Sequence, residues 1–157
     1  MTLTFDPIAH AYTLDGRPVP SVTQVLADVV PGWRASDWCL QRGRAVHACA
    51  AMIARGHEFT NDPQIDGQVA ACRRFFAEIR PTVALVETPV ASDLYRYAGT
   101  LDLLVEWPGN RGLVLVDFKS TLTPAVPYQL AGYCEALRAR HEVKLVNLPR
   151  VSVNKGL

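Results

Sequence analysis

The chain lacks long hydrophobic runs and a strong charge of either sign, and each absence excludes a class of protein. No apolar run approaches the ~20 residues that a membrane-spanning helix needs. The N-terminus has no basic stretch followed by an apolar one, so we expect no secretory signal. The formal net charge is only +1, which excludes a global basic surface for nucleic acid. Any nucleic-acid partner would have to be held by a local patch or through a metal ion.

Cysteine is also scarce and widely spaced. The four cysteines are Cys39, Cys49, Cys72 and Cys134, and no two form a Cys-x-x-Cys pair. An iron–sulfur cluster, a zinc site and disulfide bonds are the functional alternatives. This spacing instead favours reduced thiols that act as small hydrophobic side chains in helices.

The composition is that of one globular domain. Of the 157 residues, 49% are hydrophobic and 20% are charged, which is enough apolar material for a core and argues against disorder. No internal repeat, low-complexity tract or linker divides the sequence. We therefore predict a single domain over residues 1–157.

Turn and helix signals predict the order of the secondary structure. An N-terminal β-hairpin is expected over residues 5–19, and a capping box that begins at Ser21 starts a short helix. Further helices are expected over 36–55, 66–80 and 127–140, and strands over 83–90, 101–107, 113–118, 143–146 and 151–153. This order predicts an α/β or α+β fold in which α-helices flank a central mixed β-sheet.

Two carboxylates and a lysine lie in the central hairpin, where apolar residues would be ordinary. If Trp107 and Gly112 close a four-residue loop, the register places Asp102 directly opposite Asp117. Directly opposed side chains have Cβ atoms about 4.5–5.5 Å apart. Lys119 is two residues from Asp117, so it points to the same face of the sheet.

Two facing carboxylates repel each other unless a cation lies between them. A divalent metal with oxygen ligands, such as Mg²⁺ or Mn²⁺, satisfies this requirement. The alternative is a salt bridge of Lys119 on an exposed face of the sheet. The hairpin alone leaves both explanations open.

The other polar residues are informative only in combination. His47 lies in the middle of a predicted helix, and Glu87 ends a strand that we expect to pair with the strand of Asp102. Gln129 and Tyr133 are four residues apart and so share one helix face. Each of them alone fits an ordinary structural role.

Together, these residues resemble the RecB-type branch of the PD-(D/E)XK nuclease superfamily, to which phage-type and CRISPR-associated exonucleases are similar. The motifs, in order, are Gly43-x-x-x-His47, Glu87, Gly99-x-x-Asp102, Asp117-x-Lys119 and Gln129-x-x-x-Tyr133. The opening segment, with His10, Tyr12 and Pro20-Ser21-Val22-Thr23, also resembles small phage and prophage members. The resemblance implies a restriction-endonuclease-like fold.

The resemblance also implies the composition of a site. His47, Asp102 and Asp117 would bind one or two Mg²⁺ or Mn²⁺ ions with the main-chain carbonyl of Phe118. Lys119 would orient or deprotonate the attacking water. Glu87 would belong to the same catalytic group. The iron–sulfur cysteines of some relatives are missing from this sequence, so no cluster is expected.

The implied function is hydrolysis of DNA phosphodiester bonds, by an exonuclease in phage or prophage recombination or in DNA repair. Gln129 and Tyr133 would contact the DNA, and Arg42 and Arg44 are candidate phosphate contacts. The protein would act in the cytoplasm of a bacterial or phage-infected cell, with no membrane partner. A homo-oligomer and a recombination or single-strand-binding partner are compatible with this function. The alternatives are a nucleic-acid-binding module with a vestigial site, and an endonuclease or RNA nuclease with the same site.

Overall fold

The computed structural model describes residues 1–30 and 36–138. The strands are β1 (Leu3–Asp6), β2 (Ala11–Leu14), β3 (Arg17–Val19), β4 (Thr82–Ser92), β5 (Tyr97–Glu106) and β6 (Leu113–Val116). The helices are α1 (Val22–Ala27), α2 (Asp37–Ala54), α3 (Asp66–Ile79) and α4 (Val126–Arg138), and a short 3₁₀ turn, Pro63–Ile65, precedes α3. The predicted strands 143–146 and 151–153 and the predicted end of the last helix lie outside the described residues.

The predicted N-terminal hairpin is confirmed and is extended by one strand. β1, β2 and β3 form an antiparallel sheet in that order. Asp15 and Gly16 have φ values of 51° and 75°, as the tight two-residue turn between β2 and β3 requires. β1 adds the third strand in front of the hairpin, and Phe5 pairs there with Tyr12.

The capping box at Ser21 is also confirmed. The main-chain amide of Gln24 donates to Ser21 Oγ at 3.2 Å, and the main-chain amide of Ser21 donates to Gln24 Oε1 at 2.7 Å. These two bonds satisfy free amides at the start of α1 and fix where the helix begins. An isolated parallel bridge between Ser21 and Ala98 ties this point to β5.

The second sheet carries the candidate site. Its strand order is β4-β5-β6, and both strand pairs are antiparallel. Within the described residues, this central sheet is therefore antiparallel and not mixed, contrary to the prediction. The physical reason is that short connections, residues 93–96 and 107–112, join its neighbouring strands, whereas parallel neighbours need a long crossover.

Helices cover both faces of the second sheet. On one face, α1 and α4 pack against the sheet through Val22, Tyr133, Ala136 and Leu137. On the other face, α3 contributes Phe75, Phe76 and Ile79, and α2 contributes Ala54. The N-terminal sheet covers the remaining part, where Tyr12 and Leu14 pack on Ala91 and Ala98. The result is an α/β fold with two small three-stranded sheets among the described residues.

The cysteines of the described chain are free thiols. Cys72 is buried and the other three are partly buried. Burial, with smaller contributions from Cys49 and Asp102, raises the pKa of the Cys72 thiol to about 11. A thiol with so high a pKa is protonated and poorly reactive at neutral pH, as a packing role requires.

None of the described helices is long and apolar enough to cross a bilayer.

Candidate metal centre

The predicted register of the central hairpin is confirmed. The pairs run from Glu106↔Leu113 to Leu103↔Val116, and one further step would place Asp102 opposite Asp117. The ladder ends at Val116, two residues before the predicted end of the strand. Beyond this point the Phe118 amide donates to Asp102 Oδ2 at 2.8 Å, so a side-chain acceptor takes the place of a strand carbonyl.

Glu87 lies opposite Asp102 on the other side of β5. The pairs Val86↔Leu103 and Thr88↔Leu101 flank these two acids. Glu87 has a φ of +45°, which a residue with a side chain rarely adopts, least of all inside a strand. Such a conformation costs about 1–3 kcal/mol and is typical of functional sites, where the surroundings impose it.

The side chains of β5 also stop alternating regularly between the two faces of the sheet at this point. In a regular strand, Leu101, Leu103 and Val105 would share one face. Here Leu103 and Val105 pack with α3, whereas Leu101 packs with α1 and α4. The change leaves Glu87 and Asp102 at a break in the regular pattern of the sheet, with α2 and the N-terminal sheet on either side.

Helix α2 supplies the third polar side chain. His47 Nδ1 lies 3.1 Å from Asp102 Oδ1. Ala50 and Ala54, three and seven residues after His47, lie on the same face of the helix and line the cleft with Glu87 and Phe118. Because alanine is small, α2 can approach the sheet closely enough for His47 to reach Asp102.

His47, Glu87 and Asp102 form a group that could hold a metal ion. One donor atom from each residue lies within 4.8 Å of the donor atoms of the other two. The set consists of one imidazole nitrogen and two carboxylate oxygens, which suits Mn²⁺ well and Mg²⁺ less well, because Mg²⁺ prefers oxygen ligands only.

Burial and mutual charge shift the pKa values of this group. Burial opposes ionisation of Asp102, but the hydrogen bond and charge of His47, with Lys119 and the Phe118 amide, lower its pKa overall. Burial likewise disfavours the charged form of His47, and Asp102 outweighs it and raises the pKa of the imidazole. Burial, and then the charge of Asp102, raise the pKa of Glu87. The strained Glu87 carboxyl is therefore buried beside a second carboxylate, and the charges of His47 and Arg55 offset this only in part.

Asp117 and Lys119 lie next to this group as an ion pair. Lys119 Nζ is 3.0 Å from Asp117 Oδ1 and 2.9 Å from Oδ2. The Asp117 side chain is only 3% exposed, so the pair is not the exposed salt bridge of the alternative explanation. Burial and the charge of Asp102 raise the pKa of Asp117 despite Lys119. Asp117 is not one of the three clustered donors, and its role as a metal ligand, like that of the Phe118 carbonyl, stays a prediction.

The structure brings Gln129 and Tyr133 together beside the acids. Gln129 Nε2 donates to Tyr133 Oη at 3.0 Å. Burial is the main cause of the raised pKa of Tyr133, and the charges of Asp117 and Asp102 add to it. Gly99 makes this packing possible, because a Cβ atom at that position would lie 2.5 Å from Tyr133 Cε1.

The two arginines predicted to contact phosphate are separated. The Arg42 guanidinium lies 5.1 Å above the Trp38 ring. It also donates to the side-chain oxygen of Gln68 when the oxygen and nitrogen of that amide are exchanged, which is the orientation that satisfies the neighbouring donors and acceptors. Arg44 is exposed and lies three residues before His47, on the same helix face. Arg44 is therefore the one of the two on the helix face of His47, and the phosphate contacts of both arginines stay predictions.

Two further residues were not among the predicted site residues. The charge of Arg55, at the end of α2, is close enough to lower the pKa of Glu87 against the effect of burial. Tyr12 Oη and Thr100 Oγ1 form a hydrogen bond of 2.9 Å, two residues before Asp102 on β5. Arg55 could have been found from its helical spacing to His47. Tyr12 could not be assigned to the site from local pattern, because its contact joins two separate sheets.

Replacing Glu87 with glutamine should stabilise the metal-free protein by about 1 kcal/mol, a typical size for one substitution. The raised pKa means that the folded state disfavours the Glu87 carboxylate, so this penalty grows as the pH rises through the folded pKa. Glutamine removes the charge and keeps the shape. Urea unfolding in EDTA at neutral and acidic pH measures the effect, and the gain should shrink at acidic pH. A loss of stability at neutral pH would contradict it.

No family model, no curated protein and no solved structure matches this chain.

Proposed function

We propose that this protein is a metal-dependent nuclease that hydrolyses DNA phosphodiester bonds, and that its fold is of the restriction-endonuclease-like kind. The observation that carries the proposal is the convergence of His47, Glu87 and Asp102, within 4.8 Å of one another, beside a buried ion pair of Asp117 and Lys119. The motif order in the sequence supports the same activity. An exonuclease of phage recombination or of DNA repair is the form that the sequence resemblance favours.

The residues fit a divalent cation on chemical grounds. Two carboxylates of opposed strands and an imidazole converge there, and burial together with the charge of Asp102 raises the pKa of Glu87. His47, Glu87 and Asp102 would hold Mn²⁺ or Mg²⁺, and Asp117 would join them as a further ligand. A bound divalent ion in such a site lowers the pKa of water and neutralises charge on phosphoryl oxygens.

The remaining side chains have separate tasks in this proposal. Lys119 is held by Asp117, and its side chain is 23% exposed. Its amino group would orient a water molecule for attack on phosphorus. Tyr133 and Gln129 fix the wall of the site through their mutual hydrogen bond. Arg44, three residues before His47, and Arg55, at the end of α2, would contact phosphates with their positive charges.

The test is cleavage of linear DNA by the purified protein. Wild-type protein should degrade it with Mn²⁺ or Mg²⁺ and not with EDTA, and Lys119→Ala should lower the rate by at least about a hundredfold, the range expected for a lost acid–base group. Arg111→Ala removes an exposed charge of the turn between β5 and β6 and should cleave at the wild-type rate.

Two results would contradict the proposal. Full activity in Lys119→Ala would remove the catalytic assignment. DNA binding without cleavage under both metals would favour the nucleic-acid-binding module with a vestigial site. Circular, single-stranded and RNA substrates, assayed in parallel, distinguish an exonuclease from an endonuclease or an RNA nuclease.

A further inference from the structure

Packing contacts do not explain why a glycine occupies position 43. It lies inside the 18-residue helix α2, where glycine costs about 1 kcal/mol relative to alanine. Close contact explains the helical glycine Gly132, where a Cβ would lie 3.0 Å from Val22 Cγ1. At Gly43, a Cβ would meet no atom of the described residues within 4 Å. Its missing side chain therefore leaves a space that no residue of 1–30 or 36–138 fills.

The open position belongs to the same helix face as the metal group. Leu40, Gly43, Arg44 and His47 follow the spacing i, i+3, i+4 and i+7, which forms one stripe along a helix. The structure fixes the direction of this stripe, because His47 contacts Asp102 and Ala50 and Ala54 continue it along the cleft. We call the segment of Leu40, Gly43 and Arg44 the approach face of α2.

The approach face combines a positive charge with an apolar surface, which suits contact with a phosphodiester backbone. Arg44 is exposed and, within residues 1–30 and 36–138, forms no hydrogen bond or ion pair. Leu40 is 49% exposed and offers an apolar surface to a sugar or a base. Gly43 between them lets a ligand come close to the helix backbone.

We propose that the phosphodiester backbone of a DNA strand lies along the approach face of α2 on its way to the metal group, and that Gly43 is the clearance position that admits it. This inference rests on the proposed nuclease function. It adds a substrate path and assigns Gly43 as a specificity-determining residue and Arg44 as its phosphate contact. The open space is what a metal-binding role of α2 alone would not require.

The test fills the space and measures metal and DNA separately. Gly43→Leu should keep or raise the Tm, because leucine is a better helix former, and should leave Mn²⁺ affinity unchanged. Affinity for a short fluorescein-labelled DNA duplex in Ca²⁺ should fall by at least about tenfold, the loss expected when a charge-assisted contact is blocked. Cleavage in Mn²⁺ should suffer mainly through KM.

Two matched variants sharpen the comparison. Gly67→Leu makes the same change at an exposed helical glycine of α3, where a Cβ also meets no described atom, and should not change DNA affinity. Arg44→Ala should weaken binding about tenfold and flatten its dependence on salt, whereas Arg74→Ala, on α3, should not.

Wild-type DNA affinity in Gly43→Leu would overturn the inference, and so would an equal loss in Gly67→Leu. A loss of Mn²⁺ affinity in Gly43→Leu would also overturn it, since the position would then act through the metal group. Failure of the proposed function looks different: wild-type protein would not cleave DNA under any metal, while the binding comparison would still decide whether DNA lies on the approach face.

Discussion

Asp102→Asn should abolish metal binding and lower DNA cleavage by at least about a thousandfold, which corresponds to about 4 kcal/mol of transition-state stabilisation. Asp102 is the central acid of the group: His47 Nδ1 lies 3.1 Å from one of its oxygens, and the Phe118 amide donates to the other at 2.8 Å. Asparagine keeps the size of the side chain and one acceptor oxygen for Phe118. It removes the charge that makes the site attractive to a cation.

Isothermal titration with Mn²⁺ and a cleavage assay measure these two losses. Asp93→Asn is the matched control, because Asp93 is an exposed acid of the turn between β4 and β5, and it should behave as wild type. Mn²⁺ should raise the Tm of wild-type and Asp93→Asn protein but not of Asp102→Asn, since only a folded site binds the ion. Undiminished Mn²⁺ affinity in Asp102→Asn would refute the metal site.

Gly99→Ala should destabilise the protein by about 1–3 kcal/mol, the usual cost of overpacking. The added methyl group would lie 2.5 Å from Tyr133 Cε1 and 3.3 Å from Val22 Cγ2. Neither neighbour can yield easily, because Tyr133 is 6% exposed, Val22 is 4% exposed, and both belong to the same core cluster. The ring must move, so the bond between Gln129 and Tyr133 should weaken and DNA cleavage should fall with stability.

Urea denaturation and the cleavage rate are the measurements for this substitution. Gly67→Ala, at an open and exposed helical position, should not lower stability. The double variant Gly99→Ala/Tyr133→Leu tests the cause, because a smaller side chain at 133 should recover part of the lost free energy of unfolding. A Gly99→Ala protein with wild-type stability would show that the close packing of Tyr133 does not constrain β5.

The two expected results concern different demands on the same strand. Asp102 carries its charge at the cost of burying a carboxylate, while Gly99 leaves room for the Tyr133 ring to pack beside the candidate site. Glu87 adds a strained backbone and a disfavoured charge on the neighbouring strand. Proteins commonly tolerate such local instability where function needs it.

Local interactions of the chain were readable from its sequence. The register of β5 and β6, the capping box at Ser21 and the turn at Asp15 and Gly16 are contacts between residues close in sequence, so residue type and spacing determine them. The same spacing indicated that Asp102 and Asp117 belong to one hairpin and that Gln129 and Tyr133 share one helix face.

Only the tertiary structure decided which of these residues meet. His47 and Asp102 are far apart in sequence, and their contact depends on how closely the alanines of α2 let that helix approach the sheet. Glu87 joins the donor atoms of His47 and Asp102 at a point where a left-handed residue and a change of face interrupt the regular alternation of β4 and β5. Spacing predicts neighbours along one helix or hairpin, but the packing of separate elements is a balance of many small terms over the whole chain. The two carboxylates and the lysine of the central hairpin, and the cation that they predict, were therefore visible in the sequence, whereas spacing alone did not show that His47 and Glu87 lie against Asp102.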